Sequence, residues 1–296
     1  MQRFAALALA LAPQVLAAQD EAGAQLWRLA AATMPVPTAL ASGWTAVWWN
    51  PAQFDAGSFV ALELVQTPVS VGASGFVTAV GARLHARHRV SFAYGRMSIG
   101  DLVRTTLSPE ATGTGIPYSS QVGRLAWAGD VGGTTLGAAV SYGQARLDDL
   151  ASNRFSVDVG LRRAFGDRVV IAASTHFLGQ LASNAAQDVY AAVEVRLWRG
   201  ELWKGSGQSD VLARYGAAFG HGYDVDHQIG AGVNVGGAFS ADVMVVAEGG
   251  YGETQWRPVA GVHLRLGRYR VLFSGDAGPR QLGAAYRVGL EARLRR

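Results

Sequence analysis

Two groups of residues in this chain have types and spacings that could do chemistry. The first is His221-Gly-Tyr-Asp-Val-Asp-His227, where two carboxylates stand between two imidazoles, a donor set a divalent metal could use. The other histidines, His85, His88, His176 and His263, complete no H-E-x-x-H pattern, and no G-x-S-x-G elbow opens a helix. The chain has no cysteine, which removes thiolate metal sites and disulfides. The His221 stretch therefore reads as a hydrated loop, and neither an enzyme nor a metal or other cofactor is expected. The second group is a long series of charges at period-2 positions: Glu63, Arg83, Arg124, Asp158, Arg162, Glu194, Arg196, Arg214, Asp242, Glu248, Arg265, Asp276, Arg287 and Glu291. Their mixed signs suit ion pairing or binding in a partly wet interior, since charges inside a membrane structure need partners or water.

Such a series needs elements that set every second residue on one side. In Phe155-Ser-Val-Asp-Val-Gly-Leu-Arg162, Phe155, Val157, Val159 and Leu161 share one face and Ser156, Asp158, Gly160 and Arg162 the other, as strand geometry requires. Val189, Ala191, Val193, Val195 and Leu197 repeat the oily face against Glu194 and Arg196. Ile229, Val233 and Val235 oppose Asp226, Gln228 and Asn234, and Tyr286, Val288, Leu290 and Leu294 oppose Arg287, Glu291 and Arg293. Fourteen segments follow this rule: 58–66, 75–85, 89–99, 118–128, 133–144, 153–164, 168–178, 188–198, 209–219, 225–235, 239–250, 257–266, 269–277 and 282–294. In 89–99 Arg96 interrupts the oily face, which predicts a bulge or a shifted boundary. Short reversals alternate with longer ones, 145–152 among the longer and 199–208 an exception to the rule. This is the rhythm of a barrel with short periplasmic turns and long outer loops, and it puts both termini in the periplasm.

Alternation alone does not say which face is oily-out; a soluble β-sandwich would alternate too. Four features favour a membrane barrel. Residues 1–18 begin Met1-Gln2-Arg3, continue apolar from Phe4 to Ala12 and end Leu16-Ala17-Ala18, matching a secretory signal and falling short of the ~20 apolar residues of a spanning helix. Charged residues make up only 16% of the chain, against about a quarter in soluble domains, and 14 strands are many for a sandwich. Aromatics near strand ends, Tyr94, Trp127, Tyr142, Trp198, Tyr215, Phe219, Tyr251, Trp256 and Tyr269, suit interfacial girdles. The net charge of +4 is carried by scattered arginines with Lys204 the one lysine, so nucleic acid is not an expected partner.

Between leader and strands lies 19–57, which alternates nowhere. Gln25 to Ala32 has room for one or two helical turns before Pro35 and Pro37 stop it. Then come Trp44, Trp48 and Trp49, followed at once by Asn50-Pro51-Ala52, a turn signal. A barrel of fourteen strands has a lumen wider than side chains fill, and this aromatic segment reads as a hatch for it, with interfacial anchoring as the alternative.

The run Ala39-Leu40-Ala41-Ser42-Gly43-Trp44-Thr45-Ala46-Val47-Trp48-Trp49-Asn50-Pro51-Ala52 resembles the N-terminal signature of FadL/PorV-type outer-membrane barrels. The resemblance implies an all-β, closed antiparallel transmembrane barrel of about 14 strands, spanning 58–296. Asn50, Pro51 and Ala52 would be the family's box in an N-terminal hatch, with Trp48 and Trp49 its aromatic lead-in. It implies passive transport of small hydrophobic compounds, or, alternatively, a partner of secretion or envelope proteins. Outer-membrane lipid would surround either. The short loops and the ending Leu294-Arg295-Arg296, without a terminal aromatic, depart from the family pattern.

Overall fold

The computed structural model describes residues 23, 26–27, 29–54, 57–66, 72–100, 102–105, 111–176, 188–220, 225–250, 253–277 and 284–294. Residues 1–18, expected to be a leader, and His221 and Tyr251 lie outside them. Fourteen antiparallel strands close on themselves: β1 (Phe59–Gln66), β2 (Ala73–His85), β3 (His88–Ile99), β6 (Tyr118–Val131), β7 (Thr134–Leu147), β8 (Leu150–Phe165), β9 (Val169–His176), β10 (Asp188–Gly200), β11 (Ser209–Gly220), β12 (Asp226–Val235), β13 (Phe239–Gly250), β14 (Glu253–Leu266), β15 (Tyr269–Asp276) and β16 (Ala285–Arg293). Each pairs with its neighbours in sequence, and β1 closes the wall against β16 through eight pairs from Phe59↔Arg293 to Gln66↔Tyr286. Closure leaves no edge strand to be satisfied, which is what allows a sheet to stand in an apolar medium. All fourteen sequence segments are strands. A further ribbon, β4 (Val103–Thr105) with β5 (Ala111–Gly115), lies in the connection from β3 to β6.

The structure decides which face is oily. Along β1, Ala61, Glu63 and Val65 are buried, whereas Val60, Leu62 and Leu64 are 43–53% exposed. The same inversion continues round the wall with Phe92, Leu125, Val140, Phe155, Val157, Val159, Ile171, Val189, Ile229, Val243, Val262, Phe273, Val288 and Leu290 exposed. Outward-facing leucine, valine and phenylalanine over small and polar inward residues is the reverse of a sandwich core, and an apolar solvent is what stabilises it. Of the aromatics expected at strand ends, Trp127, Tyr142, Trp198, Tyr215, Phe219, Trp256 and Tyr269 are exposed on this outer face, and Tyr94 is half-buried.

Two local readings change. Strand β3 pairs without interruption from His88↔Gly129 to Ile99↔Tyr118, so Arg96 makes no bulge; it simply points outward near the strand end. The register shifts lie instead at Arg83/His85 and Arg196/Trp198. The second leaves Leu197 unpaired and turns Trp198 outward and Arg199 inward, onto Asp210 at 2.7 Å. The reversal at 145–152 is not long: β7 and β8 run on to a two-residue turn, Asp148-Asp149, with Asp148 at φ 56°. Aspartate enters that left-handed region more readily than most residues.

Candidate functional site

The segment 29–54 lies against the inward face of the wall. Residues 29–32 are helical and end where Met34 donates to the Ala31 carbonyl at 3.0 Å, and Thr38–Leu40 forms one 3₁₀ turn after the second proline. Trp44–Trp49 is a helix of six residues, far too short to stand alone in water; its packing against the wall supplies what its length cannot. Trp44, Val47, Trp48 and Trp49 are 0–3% exposed. Trp48 sits 4.4 Å from the Trp27 ring, and Trp49 stacks on His176 of β9 at 4.8 Å. Asn50 ends the helix, its N–H donating to Ala46 O at 2.9 Å. Its side chain then folds the box: Nδ2 donates to Ala39 O at 2.7 Å, and Oδ1 accepts the Ala52 N–H at 3.0 Å across Pro51, an Asx turn.

The wall meets this segment with glycines. A Cβ on Gly137 (β7) would stand 2.3 Å from the Pro51 carbonyl carbon and 2.4 Å from Ala52 N. On Gly160 (β8) it would stand 2.3 Å from Asn50 Oδ1. Gly216 faces Pro37 at 2.7 Å, Gly261 faces Pro35 at 2.6 Å and Gly289 faces Trp44 at 2.5 Å. These are positions of close approach, where any side chain would displace the segment.

Charged wall residues hold what the glycines seat. Arg124 (β6) donates through Nε to Val47 O at 2.8 Å and through Nη1 to Ser141 Oγ at 3.1 Å, and pairs with Asp158 of β8. Arg287 (β16) donates to Thr33 Oγ1 at 2.9 Å and to Ala30 O, and pairs with Glu63 at 3.2 Å. Glu63 in turn accepts Trp44 Nε1 at 3.2 Å. Arg257 reaches Ala32 O at 2.8 Å while paired with Glu248 at 2.5 Å and Asp276 at 2.7 Å. Ser274 donates to Thr33 O at 2.7 Å, and Gln228 accepts the Thr38 N–H at 3.2 Å. Side chains from β6, β12, β14, β15 and β16 thus bond backbone groups of the segment, and Glu63 of β1 holds the Trp44 indole.

The remaining sequence-singled charges have other positions. Arg214 bridges Glu194 at 2.7 Å and Asp242 at 2.5 Å, across β10 to β13. Glu291 is paired with Arg270 and Arg293, and Arg196 with Asp210 at 3.0 Å. Arg83 and Arg265 have the inward register but sit where the strands end at the short turns, and both are exposed; Arg83 donates to the His85 and Ala86 carbonyls of its own turn. Arg162 lines a cavity of ≈ 510 Å³ on the short-turn side of the segment, with Arg214 and Glu194 on the wall and Met34, Val36 and Phe54 from the segment. A smaller cavity of ≈ 30 Å³ is lined by Trp27, Val122 and Arg154. His227 faces outward with Nδ1 2.7 Å from the Tyr215 hydroxyl, and among the described residues no three His, Asp or Glu are placed to hold a metal. Sequence reading missed Arg257, His176, Gln228 and the seating glycines. The signal open to the sequence was the period-2 register: Arg257 shares it with Val259 and Gly261, and Gln228 and Gly160 stand on the polar faces of their own strands.

No family model and no curated protein matches this chain. Among solved structures it resembles the toluene transporter TbuX of Ralstonia pickettii, with TM-score 0.60 and 13% identity over 89% of this chain and 98% of that one. The ΔS2S3 mutant of the monoaromatic hydrocarbon channel TodX follows at TM-score 0.56 and 11% identity, over 84% and 94%. The shared feature is the closed barrel. At such identities the likeness establishes that fold and leaves the contents of the lumen to be argued from this chain's own residues.

Proposed function

We propose that this protein is a passive outer-membrane channel for small hydrophobic compounds, with 19–57 as its hatch and both termini in the periplasm. The observation that carries this reading is the segment 29–54 lying across the lumen, seated on wall glycines and tied down by Arg124, Arg257 and Arg287. The barrel likeness to a toluene transporter and a monoaromatic hydrocarbon channel favours an apolar cargo. No nucleotide motif is present, so the gradient drives passage. The arginine ties set the energetic character of the hatch. Each gives a carbonyl of the segment a charge-assisted hydrogen bond, which holds the segment closed. Uptake of labelled toluene by proteoliposomes is the test: flux above that of protein-free vesicles is expected, and equal flux overturns the proposal.

A further inference from the structure

The outer face is not uniform at the long-loop end. On β9 to β16 the outward residues stay mainly apolar or aromatic up to the strand ends, with Val189, Phe219, Ile229, Trp256, Phe273 and Tyr286 exposed there. On β3, β6 and β7 the same height turns polar. Tyr94 and Tyr142 mark the last aromatic level; above them Arg96 lies opposite Gln121, which lies opposite Gln144, and one level higher Ser119 lies opposite Arg146. Hydrogen bonds join Tyr94 to Gln121 at 3.0 Å and Gln121 to Gln144 at 2.7 Å. Strand β8 has 16 residues, and 16 residues tilted at about 40° stand ~40 Å high, well beyond a ~25 Å apolar band.

Arg96, Ser119, Gln121, Gln144, Arg146 and Asp149 surround one outward-opening cavity of ≈ 430 Å³. Both guanidinium groups are exposed, and among the described residues neither has an ion-pair partner; Arg146 spends only Nε, on the Asp148 carbonyl at 3.0 Å. Two cations against the single carboxylate of Asp149 favour an anion, and the planar guanidinium fork matches phosphate oxygens. Directly beneath the polar rows lies the oily face of Phe92, Leu125, Val140 and Phe155. A ligand filling both levels is phosphorylated at one end and hydrocarbon at the other.

We propose that this patch holds the phosphorylated headgroup of a lipid of the surrounding leaflet, with Arg96 and Arg146 on its phosphates, the amide and hydroxyl groups between them on its sugar or glycerol, and its chains on the oily rows below. This rests on the reading of the protein as a membrane barrel, though not on the hatch or the cargo. The test is native mass spectrometry of the full chain in detergent, titrated with a diphosphorylated glucosamine lipid, with phosphatidylcholine and with inorganic phosphate. The double variant Arg96→Ala/Arg146→Ala is compared with Arg163→Ala/Arg268→Ala, which removes the same charge at the short-turn end. The glucosamine lipid is expected to bind the parent chain and the control alike and the test variant about tenfold more weakly, two partly exposed charge contacts being lost. Equal binding by the test variant, equal loss in the control, equal uptake of phosphatidylcholine, or retention of inorganic phosphate without the lipid each overturns the proposal. Heat-modifiable migration of every variant reports the barrel separately: its absence in the parent chain defeats the membrane reading itself, while its loss in the test variant alone marks misfolding, and the single Arg96→Ala and Arg146→Ala chains then carry the comparison.

Discussion

Adding one methyl group to Gly137 should unseat the Asn50-Pro51-Ala52 box. The new Cβ would lie 2.3 Å from the Pro51 carbonyl carbon, 2.4 Å from Ala52 N and 2.6 Å from Pro51 O, and ordinary contact begins near 3.4 Å. Backbone on both sides must therefore separate by about 1 Å, which no rotamer change can supply, and overpacking of this kind costs about 1–3 kcal/mol. Gly123 is the internal control: it lies on the neighbouring strand, and a Cβ there meets nothing within 4 Å. Replacing a strand glycine by alanine without a clash gains about 0.5–1 kcal/mol. The two variants add the same methyl group to the same wall, so their difference isolates the seat. Gly137→Ala should lower the heat-modifiability midpoint and raise the permeability of intact cells to small antibiotics, while Gly123→Ala leaves permeability unchanged and holds or raises the midpoint. If the two behave alike in both measurements, the close approach of box and wall has no bearing on closure and the reasoning fails.

Other expectations follow from the same contacts. Arg124→Met removes the guanidinium from the fully buried Asp158 and should cost about 3–5 kcal/mol in a denaturant titration, most of it regained in Arg124→Met/Asp158→Leu; a double variant as unstable as the single would contradict this. Both variants should leak, since both lose the hold on Val47 O, and conductance traces without excess current would refute that part. Asn50→Ala strands the Ala52 amide at a cost of about 1–3 kcal/mol, readable as faster proteolysis of the N-terminal segment in folded protein. Leu62→Arg, placed on the outward face of β1 where the residue is 47% exposed, should reduce folding into bilayers by about 2–4 kcal/mol if it lies near the midplane; full folding yield would argue that this face does not meet lipid.

The strands were readable because alternation survives in every one of them, down to β9 with eight residues. Which side is oily-out was not, since Val157 and Asp158 alternate identically in a sandwich and in a barrel. Exposure decides it, with Val157 40% exposed and Asp158 fully buried. The Asp148-Asp149 turn was hidden because Leu-Asp-Asp-Leu has loop chemistry and gives no sign that its flanks stay paired. The β4–β5 ribbon was hidden because Ala111–Gly115 carries no apolar alternation. Within the site, three tryptophans before Asn-Pro announce a segment that is neither strand nor long helix. Its contacts could not be read, because the wall residues that meet it lie far along the chain. Gly137 and Gly160 look like any other glycine in a glycine-rich wall. Arg257 stood beside Pro258, a residue that usually argues against a central strand, although here Pro258 pairs with Val245 and points outward.

The central claim is that the N-terminal segment closes the lumen, and removing it is the most direct measurement. A chain lacking residues 20–52 but keeping residues 1–19 should still show heat-modifiable migration in the outer membrane. Its permeability to small antibiotics should rise well above that of the full chain, because the glycine seats and the arginines that now hold the segment would face open water. Correct insertion with unchanged permeability would contradict the account and leave the segment an anchor.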